Sequence, residues 1–362
     1  MTRRLVPSTI TLLTLACAAL LVGATACERR GARSTTAGTQ PAGADGGPIR
    51  IVFIPKSMGI AYYERMYPEF ERACKELGAV FDKVGPAKTD ATSQIPIIKD
   101  QVQQGARVIL LAPNSADALN PELDAARARG VKIISFNQEM PGSEDHRDAC
   151  VLPCDFDEVG PSQIELLGSL MNYEGKFAIL SATTDATDQN YWLKGMMETL
   201  KDPKYAKMEQ VDLVYGDDQP EKARKEAEGL LTRHRDLRAI LAPTSVGIEQ
   251  TAKAVQARGV YPGGPNAGPS GGVIVTGLGN PNLMRGYVKD GVLSKFALWD
   301  PPREAYVAGH LAVGLAKGTI ELGEGKSFTV PGVGEFRFGK HNVVITGGPL
   351  VFTKENVDQF NF

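Results

Sequence analysis

Lys56 and the adjacent pair Tyr62 and Tyr63 follow a short apolar run, residues 50–55 (RIVFIP), that ends at a proline. β-branched and aromatic residues of this kind form strands, and Met58-Gly59 marks the turn that follows. The junction places the three side chains beyond the carboxyl end of a strand, where open α/β sheets bind their ligands. An ammonium offers up to three hydrogen-bond donors, and tyrosine faces stack on apolar C–H surfaces. One cation and two aromatic rings suit a small polyhydroxylated molecule. A lone lysine is otherwise a solvated surface group. Tyr62 and Tyr63, neighbours on a helix, cannot both point into a core, so at least one is expected to face outward. Asn137, Gln138 and Glu139 follow another apolar run, 131–136 (VKIISF), again at a carboxyl end.

Catalytic constellations fare poorly. His146, His234, His310 and His341 are scattered without metal-ligand spacing, so no metal or cofactor is expected. There is no G-x-S-x-G elbow. Gly325-Lys326-Ser327 mimics the end of a phosphate loop, but Ile320 stands where its first glycine belongs. Gly277-Leu278-Gly279 lacks a third glycine and reads as a strand-end turn. An enzyme is not expected; a secreted enzyme is the rival class, and turnover of a bound polyhydroxylated molecule would reveal it. The chain has 362 residues, 43% of them hydrophobic, and a net charge of -2, which is enough for one large core or two medium ones. No basic excess exists to hold nucleic acid.

The elements that position these residues alternate. A helix from Ala61 carries Tyr62, Met66, Phe70, Ala73, Cys74 and Leu77 on one face and ends at Gly78. Strands are expected over 79–84, 108–112 and 131–136, with helices over 93–104 and 117–129. Residues 150–155 read as a connecting segment. Helices then fall at 161–173, 190–200, 220–232, 247–259 and 282–290, with strands at 177–181, 209–215, 239–242, 273–276 and 294–298. Nearly continuous apolar strands mark parallel sheets covered on both faces, so the fold class is α/β, two doubly wound parallel-sheet lobes with a hinge and a central cleft. A helix at 303–315, a hairpin at 326–338 and a last strand at 348–352 return to the first half. The expected division is 49–150 plus 303–345 for the N-terminal lobe and 151–302 plus 346–362 for the C-terminal lobe, with crossings near 150, 302 and 346. The Gly/Pro-rich loop 261–272 has no functional signal. Trp192 reads as core, and Asp188 as lying near the cap of the helix from Asn190.

The first residues differ from the rest. Arg3 and Arg4 precede the apolar run 10–22, which is too short to span a bilayer comfortably and has the layout of a secretory signal peptide, 1–26. Ala24-Thr25-Ala26-Cys27 resembles the lipobox of bacterial lipoproteins, which implies cleavage before Cys27 and a lipid on its thiol; the alternative is a plain signal peptide cut near Ala26. Cys17 fits that pattern less well. Residues 27–48, nearly free of large apolar side chains, read as a flexible tether to the membrane. Cys74 lies on the apolar helix face, where a buried free thiol is expected. Cys150 and Cys154 stand four apart around Pro153: a turn would let them bridge, a strand would hold them too far apart.

A wider resemblance emerges from FIPK at 53–56, TDQNYW at 187–192, APTS at 242–245, NPNLMRGYVKDG at 280–291, FALWD at 296–300 and FTKEN at 352–356. In this order and spacing they resemble the periplasmic sugar-binding proteins of type I fold, and within them the autoinducer-2 and rhamnose receptors of ABC importers. The resemblance covers nearly everything from Arg50 to Phe362. It implies a ligand lysine at Lys56, aromatic contacts at Tyr62 and Tyr63, and a hydroxyl-binding pair at Asp188 and Gln189. Pro243 and Ser245 take the backbone-carbonyl and small-residue positions, and Trp299 and Asp300 a stacking and hydroxyl-binding pair. Asn137 stands where the autoinducer-2 receptors have an aspartate, and Ser245 where they have alanine. Exchanging an acceptor-only carboxylate for an amide, and gaining a hydroxyl, changes which hydroxyls are recognised and favours a sugar or deoxy-sugar over autoinducer-2.

The resemblance thus implies a lipid-anchored, monomeric solute-binding protein in the periplasm or at the cell surface, delivering a sugar-like ligand to ABC permease subunits. Presentation of the ligand to a chemoreceptor or sensor kinase is the alternative.

Overall fold

The computed structural model describes residues 47–362. The expected signal peptide, Cys27 and all but the last two residues of the tether lie outside the described residues.

In chain order the elements are β1 (Ile49–Ile54), α1 (Ala61–Glu64), α2 (Tyr67–Glu76), β2 (Ala79–Lys83), α3 (Ile95–Gln103), β3 (Val108–Leu111), α4 (Asn120–Ala128), β4 (Lys132–Phe136) and β5 (Ala149–Leu152). There follow α5 (Phe156–Met171), β6 (Glu174–Ser181), α6 (Thr187–Thr199), β7 (Lys207–Tyr215), α7 (Pro220–Arg233), β8 (Leu237–Ala242), α8 (Ser245–Arg258), β9 (Ile274–Gly277), α9 (Pro281–Lys289) and β10 (Lys295–Leu298). The chain closes with α10 (Pro301–Lys317), β11 (Ser327–Val330), β12 (Gly334–Arg337), β13 (Val343–Ile345) and β14 (Leu350–Thr353).

Two parallel sheets result. The first has the order β13-β5-β4-β3-β1-β2, the second β7-β6-β8-β9. Every pairing within both is parallel. A bridge between Leu278 and Ala297 carries the second sheet on to β10, which pairs antiparallel with β14. This is the α/β fold of two doubly wound lobes. Strands β3, β4 and β8 are buried almost throughout, which is why they read as unbroken apolar runs. Under the first sheet Phe53, Phe70 and Phe136 pack with ring centroids 5.1–5.3 Å apart.

Three local expectations need correction. The helix from Ala61 is broken after Glu64, because Pro68 cannot donate to the Glu64 carbonyl and its ring crowds it; a proline is instead accommodated in the first turn of a new helix. Residues 149–152 are not a connector but β5, paired with β4 on one side and with the unforeseen β13 on the other. Cys150 therefore sits inside β5 while Cys154 lies beyond the strand's end, and the two are not bridged. Both Cys150 and Cys154 are buried free thiols, as is Cys74.

The chain passes between sheets after Leu152, between β10 and α10, and between β13 and β14. Helix α10 packs along α2 and reaches β1, β3 and β4 of the first sheet, but the last strand, expected to return to the first half as well, pairs instead as β14 with β10.

One glycine permits the approach of β9 to β8. Gly277 has φ 142°, and a Cβ there would lie 1.9 Å from the Ala242 carbonyl oxygen. Gly277→Ala is expected to destabilise the protein by about 2 kcal/mol or more through this clash, measured as a lower Tm in thermal denaturation; an unchanged Tm would show that the strand ends can separate freely.

Candidate functional site

The carboxyl ends of both sheets face one cavity, partly open to solvent. Lys56, after β1, and Asn137, after β4, line it from the first sheet, together with Ile60, Tyr62 and Tyr63. From the second come Asp188 and Gln189 in the first turn of α6, Asp218 after β7, Pro243, Thr244 and Ser245 after β8, Leu278 after β9, and Leu298 with Trp299 at the end of β10. Nine of the ten residues expected in the site are thus brought together.

Asp300 is the exception. Its carboxylate accepts from the backbone N–H of Arg303 at 3.0 Å and caps α10, so it serves the helix rather than the cavity. Asp188 does lie near the cap of its helix: Ala186 holds the cap position and Asp188 is the second residue of α6, which starts at Thr187 rather than Asn190. There the partial positive charge of the helix N-terminus favours its carboxylate. Tyr62 and Tyr63 are both buried, against the expectation that one faces outward. The short α1 lies over the cavity, so both rings, 5.2 Å apart and edge to face, find cover between the lobes. Trp192, read as core, is buried against Phe156 and Trp299 but also lines the cavity.

Lys56 and Asp188 meet across the cavity. The Lys56 ammonium donates to both carboxylate oxygens, at 2.9 and 2.8 Å, and each residue is only 4% exposed. A second polar layer stands behind Tyr62. The Asn137 amide donates to the Tyr62 hydroxyl at 2.5 Å and to the Glu304 carboxyl at 3.1 Å, while the Trp299 indole N–H donates to the same hydroxyl at 2.6 Å. With two donors pointed at its oxygen, Tyr62 has its own hydrogen left to give. Asn137 adopts φ 65°, a left-handed conformation that asparagine tolerates better than most residues, and such positions cluster at functional sites.

Two carboxyls were missed in the sequence. Glu304, on the inner face of α10, is fully buried, and burial drives its pKa well above the ordinary carboxylate range. Asp218 accepts from the Thr244 hydroxyl at 2.5 Å; desolvation raises its pKa while the nearby Lys56 charge pulls it back. The first is signalled by an acidic residue at a helix position otherwise filled by Ala308 and Leu311, the second by its place after a strand end. Among the described residues no cluster of His, Cys, Asp and Glu could hold a metal ion.

The family model described as periplasmic binding protein domain matches residues 51–320. The chain belongs to this family. Its periplasmic binding protein fold is shared by solved structures that cover most of the chain. One is a sugar ABC transporter from Actinomyces odontolyticus, 36% identical, covering 87% of this chain and 98% of that one at a TM-score of 0.68. Another is an ABC transporter solute-binding protein from Clostridium phytofermentas with bound L-rhamnose, 27% identical over 86% and 98% of the two chains, TM-score 0.80. In fold it also resembles LsrB from Clostridium saccharobutylicum in complex with AI-2, 24% identical over 87% and 100%, TM-score 0.79.

Glu304 gives a pH prediction. Its folded pKa lies above the unfolded value of about 4.3, so the folded state holds the proton more tightly. Its contribution to stability is full below that value and is lost as pH rises toward the folded pKa. Glu304→Gln keeps the neutral shape without this loss. Thermal denaturation is expected to show Glu304→Gln gaining on the unsubstituted protein as pH rises from about 4.3 to 8; parallel pH profiles would contradict a buried neutral acid.

Proposed function

We propose that this periplasmic binding protein is an extracytoplasmic, lipid-anchored solute receptor of an ABC importer and binds a neutral monosaccharide or similar polyol between its two lobes. The observation that carries the reading is the meeting of Lys56 and Asp188, one from each sheet, inside a cavity walled by tyrosine and tryptophan rings. Lys56, Tyr62, Tyr63 and Asn137 are the ligand contacts of one lobe. Asp188, Gln189, Pro243, Ser245 and Trp299 are those of the other. A sugar hydroxyl both donates and accepts, so it can pair with the ammonium and the carboxylate alike.

The three passages between sheets serve as the hinge. A ligand that touches both lobes favours the closed form by the difference in its contacts between the two states, and the closed form is what a permease reads. The charge balance in the cavity walls, the Lys56 ammonium with the carboxyl groups of Asp188 and Asp218, favours a neutral guest over an anion. The sugar reading draws support from the relative solved with L-rhamnose, the anchor from the lipobox-like Ala24 to Cys27.

Titration calorimetry with L-rhamnose, D-ribose, D-arabinose and autoinducer-2 tests the reading. At least one neutral sugar is expected to bind, and Asp188→Ala to weaken that binding at least tenfold, about 1.4 kcal/mol. Binding of autoinducer-2 alone would reassign the protein to signal reception; unchanged affinity in Asp188→Ala would remove that residue from the site.

A further inference from the structure

Two polar atoms among the cavity-lining residues are buried without a partner: Nε1 of Trp192 and Oε1 of Gln189. Trp192 is 3% exposed and Gln189 5%. An unmade hydrogen bond on a buried group costs about 1–3 kcal/mol, and native structures rarely leave such groups without a reason. The other indole of the chain shows the contrast, because Trp299 gives its N–H to Tyr62. Gln189 cannot turn its amide to remove the problem. Its Nε2 donates to the Pro243 carbonyl at 3.4 Å, and reversing the amide would set two acceptors against each other.

The two unpartnered atoms are complementary. An indole N–H only donates and an amide oxygen only accepts. A carboxylate or phosphate could satisfy Trp192 but would bring its lone pairs against Gln189 Oε1 and toward Asp188. Hydroxyl groups donate and accept, so they can answer the donor and the acceptor alike.

We propose that Trp192 is a ligand-binding residue, its indole N–H donating to a ligand oxygen while Gln189 Oε1 accepts a ligand O–H, so that the two select hydroxyl groups over anionic ones. The inference rests on the solute-binding reading above and adds to it a residue and a rule of selection. T-shaped packing on Phe156 and Trp299 holds the ring, so the donor is placed by neighbours that do not themselves use it.

The test separates the N–H from the ring. Trp192→Phe removes both ring size and donor; Trp192→3-benzothienylalanine keeps the shape and removes only the donor. Calorimetry with L-rhamnose, D-ribose and D-arabinose is expected to show at least tenfold weaker binding in both variants for whichever sugar the unsubstituted protein binds. The chain has two tryptophans, so its ¹⁵N spectrum has two indole N–H signals. The one absent from Trp192→Phe is expected to shift when that sugar is added. Equal affinity of the benzothienylalanine variant and the unsubstituted protein would overturn the role of Trp192 while leaving solute binding in place. Failure of the unsubstituted protein to bind any of the three sugars would overturn both.

Discussion

Lys56 and Asp188 approach from different sheets and close a doubly hydrogen-bonded ion pair at 2.8–2.9 Å with almost no exposure. Taking two charges out of water costs several kcal/mol for each, and their attraction offsets this only with good geometry. Neither residue could occupy its place alone, since an uncompensated buried charge is strongly destabilising. The pair therefore requires both sheets to present their carboxyl ends to one space, and much of the surrounding architecture follows from that. A strand end delivers the lysine, and the first turn of α6 holds the aspartate where the helix dipole favours its charge.

Around this pair the walls are built with fixed hydrogen-bond directions. Tyr62 receives two donors, which leaves it a donor. Asn137 spends its amide hydrogens on Tyr62 and Glu304, which leaves its carbonyl oxygen free of protein partners. Glu304 sits behind them, and burial raises its pKa so that it holds its proton more tightly than an exposed carboxyl does. A cavity of this kind suits guests that can answer donors and acceptors in turn, which hydroxyl-rich molecules do and anions do not. Its aromatic lining adds apolar faces for C–H surfaces.

The parts of this arrangement that were legible from sequence are those tied to strand ends. Buried parallel strands write themselves as apolar runs, and the polar residues just after them, Lys56 and Asn137, stand out against that background. Family resemblance supplied Asp188, Gln189, Pro243 and Ser245, which no periodicity marks. What sequence hid depended on long-range packing. Strand β5 and its partner β13 lie almost two hundred residues apart, and each is too short to announce itself. Asp300 matched a family block, yet its carboxylate closes a helix end, a role set by the three residues after it. Trp192 looked like core because it is core on two sides, and only the fold reveals that another borders the cavity. Glu304 was overlooked because a single acid in a helical run normally faces water.

A crystal structure of the protein grown with the sugar that binds best tests the central claim most directly. The account predicts the sugar in the cavity between the two sheets, with its hydroxyls within about 3.2 Å of Lys56 Nζ and of the Asp188 carboxylate. A sugar bound elsewhere, with the Lys56–Asp188 pair touching no part of it, would contradict the account.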